Sequence, residues 1–532
     1  MEQLPAWLTP LPDAETQRAT DRWAIDEQGV PSLDLMERAG AAVARTVERI
    51  APDGRVTVVC GKGNNGGDGL VVARLLREAQ RDVEVVCTDA PEELRGDAAA
   101  NFERLPAPAP LRLDGRPWAG GGKRADPSPF ERPAVLVDAV LGTGFSGAPH
   151  GAAGEAIAAI EQARGAGGVP VVSVDVPSGV DASTGVVEGE AVHATATVTF
   201  HAAKPGLWIR PGKDHAGRVE TVDIGIPRGA PAPARIGLIR DSLLSMLPRR
   251  TGASNKFISG HVLIAGGSVG LTGAPAMASR AAMRAGAGYV TTFVPAAVQP
   301  VLAGSGVPEV MFRSLPEAGG SLDDTGVEQV LDASARGGSL ALGPGLGQAE
   351  GAVAFARRLA RAARVPLVLD ADGLNAHARR PEELASRVAP TVLTPHSGEL
   401  GRLVDRGSAE IERERLRWVR ALAARSHAVV VLKGDDTLIA DAEGTVAVSP
   451  GGSPALATAG TGDVLSGVIA AMLAARLEPF AAAAAGVLLH ARAGRLAARA
   501  AGAVEAVIAS DVIEALGAAR GNEARGEGAG HG

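Results

Sequence analysis

The sequence predicts an α/β protein of two domains, each built on a mainly parallel sheet, and three observations lead there. At 532 residues the chain exceeds what one hydrophobic core comfortably serves. Short β-branched runs, apolar on both faces, alternate with Ala-rich helical stretches, which is the pattern of βαβ units around a sheet buried on both sides. That alternation lapses over IPRGAPAPARIG (226–237), where three prolines stand without periodicity, and then restarts with a full second set of strands.

In order, VTVVC (56–60), VEVVC (83–87), AVLVDAVLG (134–142), PVVSVDVP (170–177) and ATVTF (196–200) read as strands of the first domain, with helices at 68–80 and 151–165 between them. After the lapse come HVLIAGG (261–267), a helix over 274–286, YVTTFVP (289–295), SLALGPG (339–345), VPLVLDADG (365–373), TVLTPH (391–396) and AVVVLKG (428–434). The expected division is therefore 1–227, a linker at 228–239, a second domain at 240–518, and a Gly-rich charged tail at 519–532 expected to be disordered. A Gly- and Pro-rich stretch at about 105–130 reads as a surface insertion. No internal repeat relates the halves.

Composition narrows the partners. A net charge of −7, spread along the chain, offers no basic footprint for nucleic acid or anionic membrane. Small soluble ligands are the default. Cys60 and Cys87 sit beside valines in strand-like runs, so a disulfide framework is not expected. The N-terminus lacks a basic start followed by an apolar core, and no apolar run reaches 18 residues, so a reducing cytoplasm is the expected compartment. Six of the 53 basic residues are lysine (Lys62, Lys123, Lys204, Lys213, Lys256, Lys433), which makes each of them mildly informative.

Ligands of open parallel sheets bind beyond the carboxyl ends of strands, and three polar, Gly-rich loops of the first half leave such ends. GKGNNGGDG follows VTVVC, AVLGTGFSG follows AVLVD, and VPSGVD follows PVVSVD. Asn64 and Asn65 offer amide donors and acceptors, while Gly66, Gly67 and Gly69 let backbone approach a ligand. Asp68 either contacts a ligand or caps the helix that starts there. Asp138 and Asp175 stand at strand ends, as acid/base, as oxygen ligands for a hard cation, or as caps of the next turn. No His/Cys cluster points to zinc.

With LDLMERAG (33–40) ahead and FHAAKPGL (200–207) behind, these loops resemble the YjeF N-terminal domain, the NAD(P)H-hydrate epimerase family, over residues 14–227. The resemblance implies a Rossmann-like three-layer α/β/α sandwich. It implies hydrate contacts from Asn64, Asn65, Gly66, Gly67 and Asp68, from the loop Gly142, Thr143, Gly144, Phe145, Ser146, Gly147 and Ala148, and from Asp175. Asp138 would be the acid/base, and potassium would fall to Asn65, Asp138 and Ser178. Hydration puts a hydroxyl on carbon 6 of the nicotinamide ring in either hand, and inverting that centre requires proton movement that a carboxylate supplies.

In the second half, LATAGTGDVLSGVIAAML (456–473) sends a Gly/Thr turn into an Ala-rich helix, so backbone N–H groups and the positive helix end converge on an anion. Asp463 in the first turn could accept a proton from a hydroxyl being phosphorylated, or only cap the helix. GPGLG (343–347) and VLKGDDT (431–437) add loops at strand ends, with Lys433 read as an exposed tether for a nucleotide phosphate or as a solvated lysine. Together with HVLIAGGSVGLTGA (261–274), RAGAGYVT (284–291), PEVM (308–311), LDADGLN (369–375) and TPHSGEL (394–400), these motifs resemble the YjeF C-terminal domain, a ribokinase-like ADP- or ATP-dependent NAD(P)H-hydrate dehydratase, over about 240–518. The resemblance implies that Ala274, Gly345, His396 and Asp463 contact the hydrate. Nucleotide contacts would come from Lys433, Gly434, Asp435, Asp436, Thr437 and Gly462, with Asp463 as base and magnesium bridging the phosphates. Two positions depart from the family pattern: Ser397 stands where TPHPGE has proline, and NKF (255–257) where HKG is usual.

The expected activity is bifunctional repair of NADHX and NADPHX: epimerisation in the first half, nucleotide-dependent dehydration of the (S) form in the second, with ADP the favoured donor and a homo-oligomer expected. Two other classes remain open. A ribokinase-like domain could phosphorylate a small alcohol instead, and relatives of the first domain serve as interaction modules in RNA-processing scaffolds, against which the charge balance and Asp138 speak.

Overall fold

The computed structural model describes residues 4–118, 128–231, 233–252, 254–305 and 307–521. It divides into two compact units, one of Met1–Leu4 with Pro10–Gly237, the other of Pro5–Thr9 with Leu238–Gly532. The expected first domain of 1–227 is thus interrupted near its start: Trp7 groups with the second unit, where its ring lies 5.6 Å from that of Phe480 and its carbonyl accepts the Arg240 N–H. The expected linker at 228–239 ends in a strand, Ile236–Ile239. The helix Ala509–Arg520 runs into the tail expected from 519, and the tail from 522 on, like part of the 105–130 insertion, lies outside the described residues.

The first unit carries a six-stranded parallel sheet in the order Val83–Cys87, Val56–Cys60, Val135–Ala139, Val171–Val174, Ala196–Phe200, Arg218–Val222. The middle strands are buried along their length because valine fills both faces, whereas the edge strand Arg218–Val222 alternates into solvent and carries too few apolar residues to be read from sequence. Chain order reverses between Val56–Cys60 and Val135–Ala139. Loops leaving that point diverge in opposite directions and open a crevice.

Glycine permits the crevice. A Cβ on Gly61 would stand 2.1 Å from the Val140 carbonyl oxygen, and one on Gly66 would stand 1.7 Å from that of Gly61. The turn therefore folds tightly enough to start the helix Asn64–Glu78 directly behind the strand, and Leu70, Val71, Ala73 and Leu76 of that helix seal onto the core.

The second unit's sheet runs Val446–Val448, Leu438–Ala440, Val429–Leu432, Thr391–Leu393, Leu367–Leu369, Ser339–Leu342, His261–Ala265, Tyr289–Pro295, Val310–Leu315, with Leu8–Pro10 and Ile236–Ile239 beyond Val446–Val448. From Val429–Leu432 to Val310–Leu315 all pairings are parallel, and the two strands after Val429–Leu432 return antiparallel. Its reversal lies between His261–Ala265 and Ser339–Leu342, where a Cβ on Gly266 would stand 2.2 Å from the Pro344 carbonyl oxygen.

Gly61→Ala is expected to destabilise the first unit by about 1–3 kcal/mol through this overlap. Gly63→Ala, where the added atom meets nothing within 4 Å at a φ of −87°, should change stability by less than about 0.5 kcal/mol. Thermal melts of the two variants check the contrast.

Candidate active sites

A cavity of about 740 Å³, within the usual range for small-ligand sites, opens at the reversal of the first sheet. Asn64, Asn65 and Asp68 line it from the first loop, Gly142, Thr143, Gly144 and Phe145 from the second, and Asp175 from the third. Asp21, Asp97 and Lys204 join them from elsewhere in the unit, together with Phe200 and Ile224.

Asp175 sits at φ +65°, a left-handed backbone that turns its carboxylate back toward the sheet edge. There it accepts hydrogen bonds from Lys204 Nζ at 2.5 Å, Thr199 Oγ1 at 3.1 Å and Thr143 Oγ1. Lys204 is fully buried and also donates to Thr199 Oγ1 and to the Phe200 carbonyl, each at 3.0 Å. Burial works against the Asp175 charge, but Lys204 and the hydroxyls outweigh it and hold the carboxyl below its ordinary range. Asp68 goes the other way. Burial raises it well above that range, the Asp175 charge adds to the rise, and Lys204 opposes it.

Asp138, expected as the acid/base, does not line the cavity. Its carboxylate is fully buried and accepts from Ser178 N at 2.9 Å, Ser178 Oγ at 2.5 Å and Ser173 Oγ at 2.8 Å. Those bonds tie the end of Val135–Ala139 to the strand Val171–Val174 and to the loop that follows it. Ser178 Oγ also approaches the Leu141 carbonyl at 3.2 Å, and Asn65 Nδ2 donates to that carbonyl at 3.0 Å.

Gly66 and Gly67 are corrected as well. Neither lines the cavity: Gly66 packs on Gly61, and a Cβ on Gly67 would meet Met36 and Ala98. Ser146, Gly147 and Ala148 also lie off the wall, which passes from Phe145 to Pro149. Lys204 was missed as a site residue although it stands in the FHAAKPGL motif, and its rarity was the available signal. Asp21 and Asp97, on the helices Ala14–Arg22 and Gly96–Glu103, carried none.

In the second unit the loops after His261–Ala265 and Ser339–Leu342 meet, with Gly345 at φ +64° so close that a Cβ there would stand 2.6 Å from the Leu271 carbonyl oxygen and 3.1 Å from the Ala274 side chain. Gly460, also left-handed at φ +89°, leads into the helix Thr461–Ala474, whose first turn carries Gly462 and Asp463. A Cβ on Gly460 would meet Met277, one turn beyond Ala274 on its helix.

Beside this turn Lys433 is half-buried and paired with two carboxylates, Asp370 Oδ1 at 3.0 Å and Glu399 Oε2 at 3.5 Å. It is not the exposed tether expected. Asp370, itself buried, accepts from Ser466 Oγ at 2.6 Å one turn after Asp463. Burial disfavours the Lys433 charge, yet Asp370 and Glu399 hold its pKa above the ordinary value. Asp463 is pushed up to about 7, first by burial and then by the Asp370 charge, with Lys433 opposing and Glu399 adding. Asp370 and Glu399 were not singled out from sequence, although both stand in the LDADGLN and TPHSGEL motifs.

His396 caps the helix Ser397–Val404, its Nδ1 accepting from Gly398 N at 3.0 Å, while Glu399 reaches back to His396 N at 2.9 Å. Its ring remains about half exposed beside the site. Ser397 takes the first helical position, where proline is also favoured, so the departure from TPHPGE leaves the helix start in place. Over NKF, Asn255 Oδ1 accepts from Phe257 N and Ile258 N, both at 3.0 Å, and makes its own turn.

Asp436 is corrected among the nucleotide contacts. It is buried and paired with Arg415 Nε at 3.0 Å, while Arg415 also donates to the carbonyls of Leu432 and Lys433. The pair shapes the loop from below. Gly434 and Asp435 are exposed, and Thr437 turns inward to the Gly434 carbonyl at 2.6 Å.

Two α/β units, one with a carboxylate-rich cavity and one with a Gly/Thr turn at a helix start, correspond to two known domain families. Residues 32–206 match the YjeF-related protein N-terminus and residues 262–516 match NAD(P)H-hydrate dehydratase. The chain belongs to the family of bifunctional NAD(P)H-hydrate repair enzymes. It is 42% identical to the bifunctional NAD(P)H-hydrate repair enzyme Nnr of Moorella thermoacetica over 93% of this chain and 94% of that protein. It is 41% identical to the one from Salinibacter ruber over 90% of each. Among solved structures, the ADP/ATP-dependent NAD(P)H-hydrate dehydratase of Bacillus subtilis, co-crystallised with ATP/Mg2+, is 30% identical with a TM-score of 0.46, covering 52% of this chain and 94% of that one.

Asp463 is expected to ionise as pH rises through about 7. Lys433→Met removes the cation that opposes its elevation and should move the transition upward. The side-chain carboxyl 13C shift of Asp463 against pH reads both.

Proposed function

We propose that the first unit interconverts the (R) and (S) hydrates of NADH and NADPH, and that the second dehydrates the (S) form at the expense of ADP or ATP. The observation that carries this reading is the pairing of two unlike sites on one chain of this family. One is a cavity with an ionised carboxylate clamped by a buried lysine, the other a helix start carrying a carboxyl poised near neutral pH.

In the epimerase unit Asp175, rather than Asp138, is the base. It faces the cavity and is kept ionised by Lys204. Potassium fits the oxygen atoms beneath: Asp138, Ser178 Oγ and the Leu141 carbonyl converge, with a single carboxylate that suits a monovalent hard cation, while the Asn65 amide nitrogen donates to the same carbonyl. Bound there, the ion would supply positive charge under the cavity floor and hold the loop bearing Asn65 against the one bearing Leu141.

In the dehydratase unit Asp463 takes the proton of the ring hydroxyl as that oxygen accepts a phosphoryl group, since a base with a pKa near 7 is part-ionised at neutral pH yet strong enough to accept a proton. Phosphate then departs from carbon 6 with the electron pair of the carbon–oxygen bond, where hydroxide would not, and carbon 5 releases a proton to solvent as its C–H pair becomes the ring double bond. The backbone N–H groups at the start of Thr461–Ala474 face the transferring phosphate. No three His, Cys or carboxylate side chains among the described residues are grouped to hold a metal, and Asp370 and Glu399 are engaged by Lys433, so magnesium would enter with the nucleotide phosphates and, when bound, neutralise their charge. Buried free thiols at Cys60 and Cys87 support a reducing compartment, and no helix among the described residues is long and apolar enough to cross a membrane.

The test is the return of reduced-nicotinamide absorbance from a mixture of both NADH hydrates with ADP, with ATP or with neither. Complete nucleotide-dependent recovery is expected. Asp463→Asn should abolish recovery while epimer exchange continues, and Asp175→Asn should stall recovery at one epimer's share. A stable phosphorylated alcohol with no hydrate turnover would instead make the second unit a small-molecule kinase.

A further inference from the structure

Five carboxyl groups line the epimerase cavity, Asp21, Asp68, Asp89, Asp97 and Asp175, and the buried lysine among them is spent on Asp175. Asp21 accepts a hydrogen bond from Gln17 Nε2 at 2.8 Å. Asp68 differs from these: only 9% exposed, it has no hydrogen bond or ion pair to any side chain among the described residues, although it lines the cavity. It stands on the second turn of Asn64–Glu78, behind the Val56–Cys60 strand, while Asp175 follows Val171–Val174. The strand Val135–Ala139 separates those two in the sheet, so the carboxyls come to the cavity from different strand ends.

We propose that Asp68 is a catalytic proton donor of the epimerase, working together with the Asp175–Lys204 pair in the same cavity. The inference rests on the epimerase reading above and adds the second proton-transfer group that it lacks. Carbon 6 of the hydrate carries both the hydroxyl and the ring nitrogen, so its configuration is lost if the ring opens there. Asp175 takes the hydroxyl proton, the oxygen's electron pair forms a carbonyl, and the carbon–nitrogen bond breaks. The electron pair of that bond goes to the nitrogen, which receives the proton of Asp68. Rotation about the adjacent carbon–carbon bond presents the other carbonyl face. Closure runs the same steps in reverse, Asp68 recovering its proton from nitrogen and Asp175 returning its proton to oxygen. No oxidant or co-reactant is consumed, and both groups end as they began.

The surroundings keep Asp68 in the required acid form. Asp21 faces it from the helix Ala14–Arg22, Asp97 from Gly96–Glu103 and Asp175 from its own loop, with Lys204 the opposing cation. Arg18, Lys62, Asp89 and His150 stand elsewhere on the cavity wall, and Lys62 is paired with Asp89 at 3.4 Å and Glu93 at 3.8 Å. Burial and three like charges against one committed cation leave a neutral carboxyl the favoured state.

The experiment is the pH dependence of epimer exchange, followed by NMR of the two NADH hydrates without nucleotide, for wild type, Asp68→Asn, Asp68→Glu and Asp21→Asn. Wild type should lose activity on the alkaline side as Asp68 ionises. Asp68→Asn should lower kcat by about 100-fold or more with KM nearly unchanged, and its residual activity should lack the alkaline limb. Asp68→Glu should restore part of the rate together with that limb, and Asp21→Asn, which removes one of the like charges facing Asp68, should move the limb to lower pH. Hydroxylamine should trap the opened aldehyde during wild-type and Asp68→Glu turnover and not with Asp68→Asn, whose retained KM shows that the cavity is still formed. Wild-type kcat and an unchanged alkaline limb in Asp68→Asn would overturn the proposal while sparing the epimerase. Absence of exchange in wild type would overturn the underlying reading itself.

Discussion

Backbone packed against backbone at the reversal point of each parallel sheet is the constraint on which both sites depend. Gly61 against the Val140 carbonyl, Gly66 against Gly61, and Gly266 against Pro344 are contacts that any side chain would push apart. Because these turns are closed so tightly, the loops that follow them converge where neighbouring crossovers diverge. The first sheet thereby brings Asn65, Thr143 and Asp175 to one cavity, and the second brings Gly345 against Ala274.

Each site then places one lysine among several carboxylates, and the outcome depends on how that cation is shared. Lys204 is fully buried and committed to Asp175, whose charge it secures; the cost falls on Asp68, which shares the same low-dielectric space. Lys433 is divided between Asp370 and Glu399, so Asp463, raised first by its own burial, also feels two anions against one cation and is pushed up to about 7. The same residue types thus yield an ionised base in one unit and a carboxyl at the edge of ionisation in the other. Buried ion pairs supply modest net stability, because desolvation offsets their attraction, and their value here lies in setting neighbouring protonation states.

Most of the central strands were legible as short valine-rich runs, and two helices as Gly-rich turns entering apolar stretches, although the one expected from 68 begins at Asn64 with Gly63 as its cap, so that Asp68 does not cap it. The strand Arg218–Val222 was not, because an edge strand half open to water has no need of a continuous apolar run. Leu8–Pro10 escaped for a different reason: three residues are too few for a period, and their place in a sheet is decided by chain hundreds of residues away.

What the sequence by itself determined is the layout: two α/β units, the loops that bear function, and the family, because strand period, glycine spacing and motif order are local properties of the chain. What only the tertiary structure decided is which carboxylates reach the cavity. Asp138 and Asp175 stand alike at strand ends in the sequence, but one is buried under Ser173 and Ser178 and the other is turned into the cavity against Lys204. Protonation, likewise, is set by burial and by which cation lies nearest, and both are distances between residues far apart along the chain.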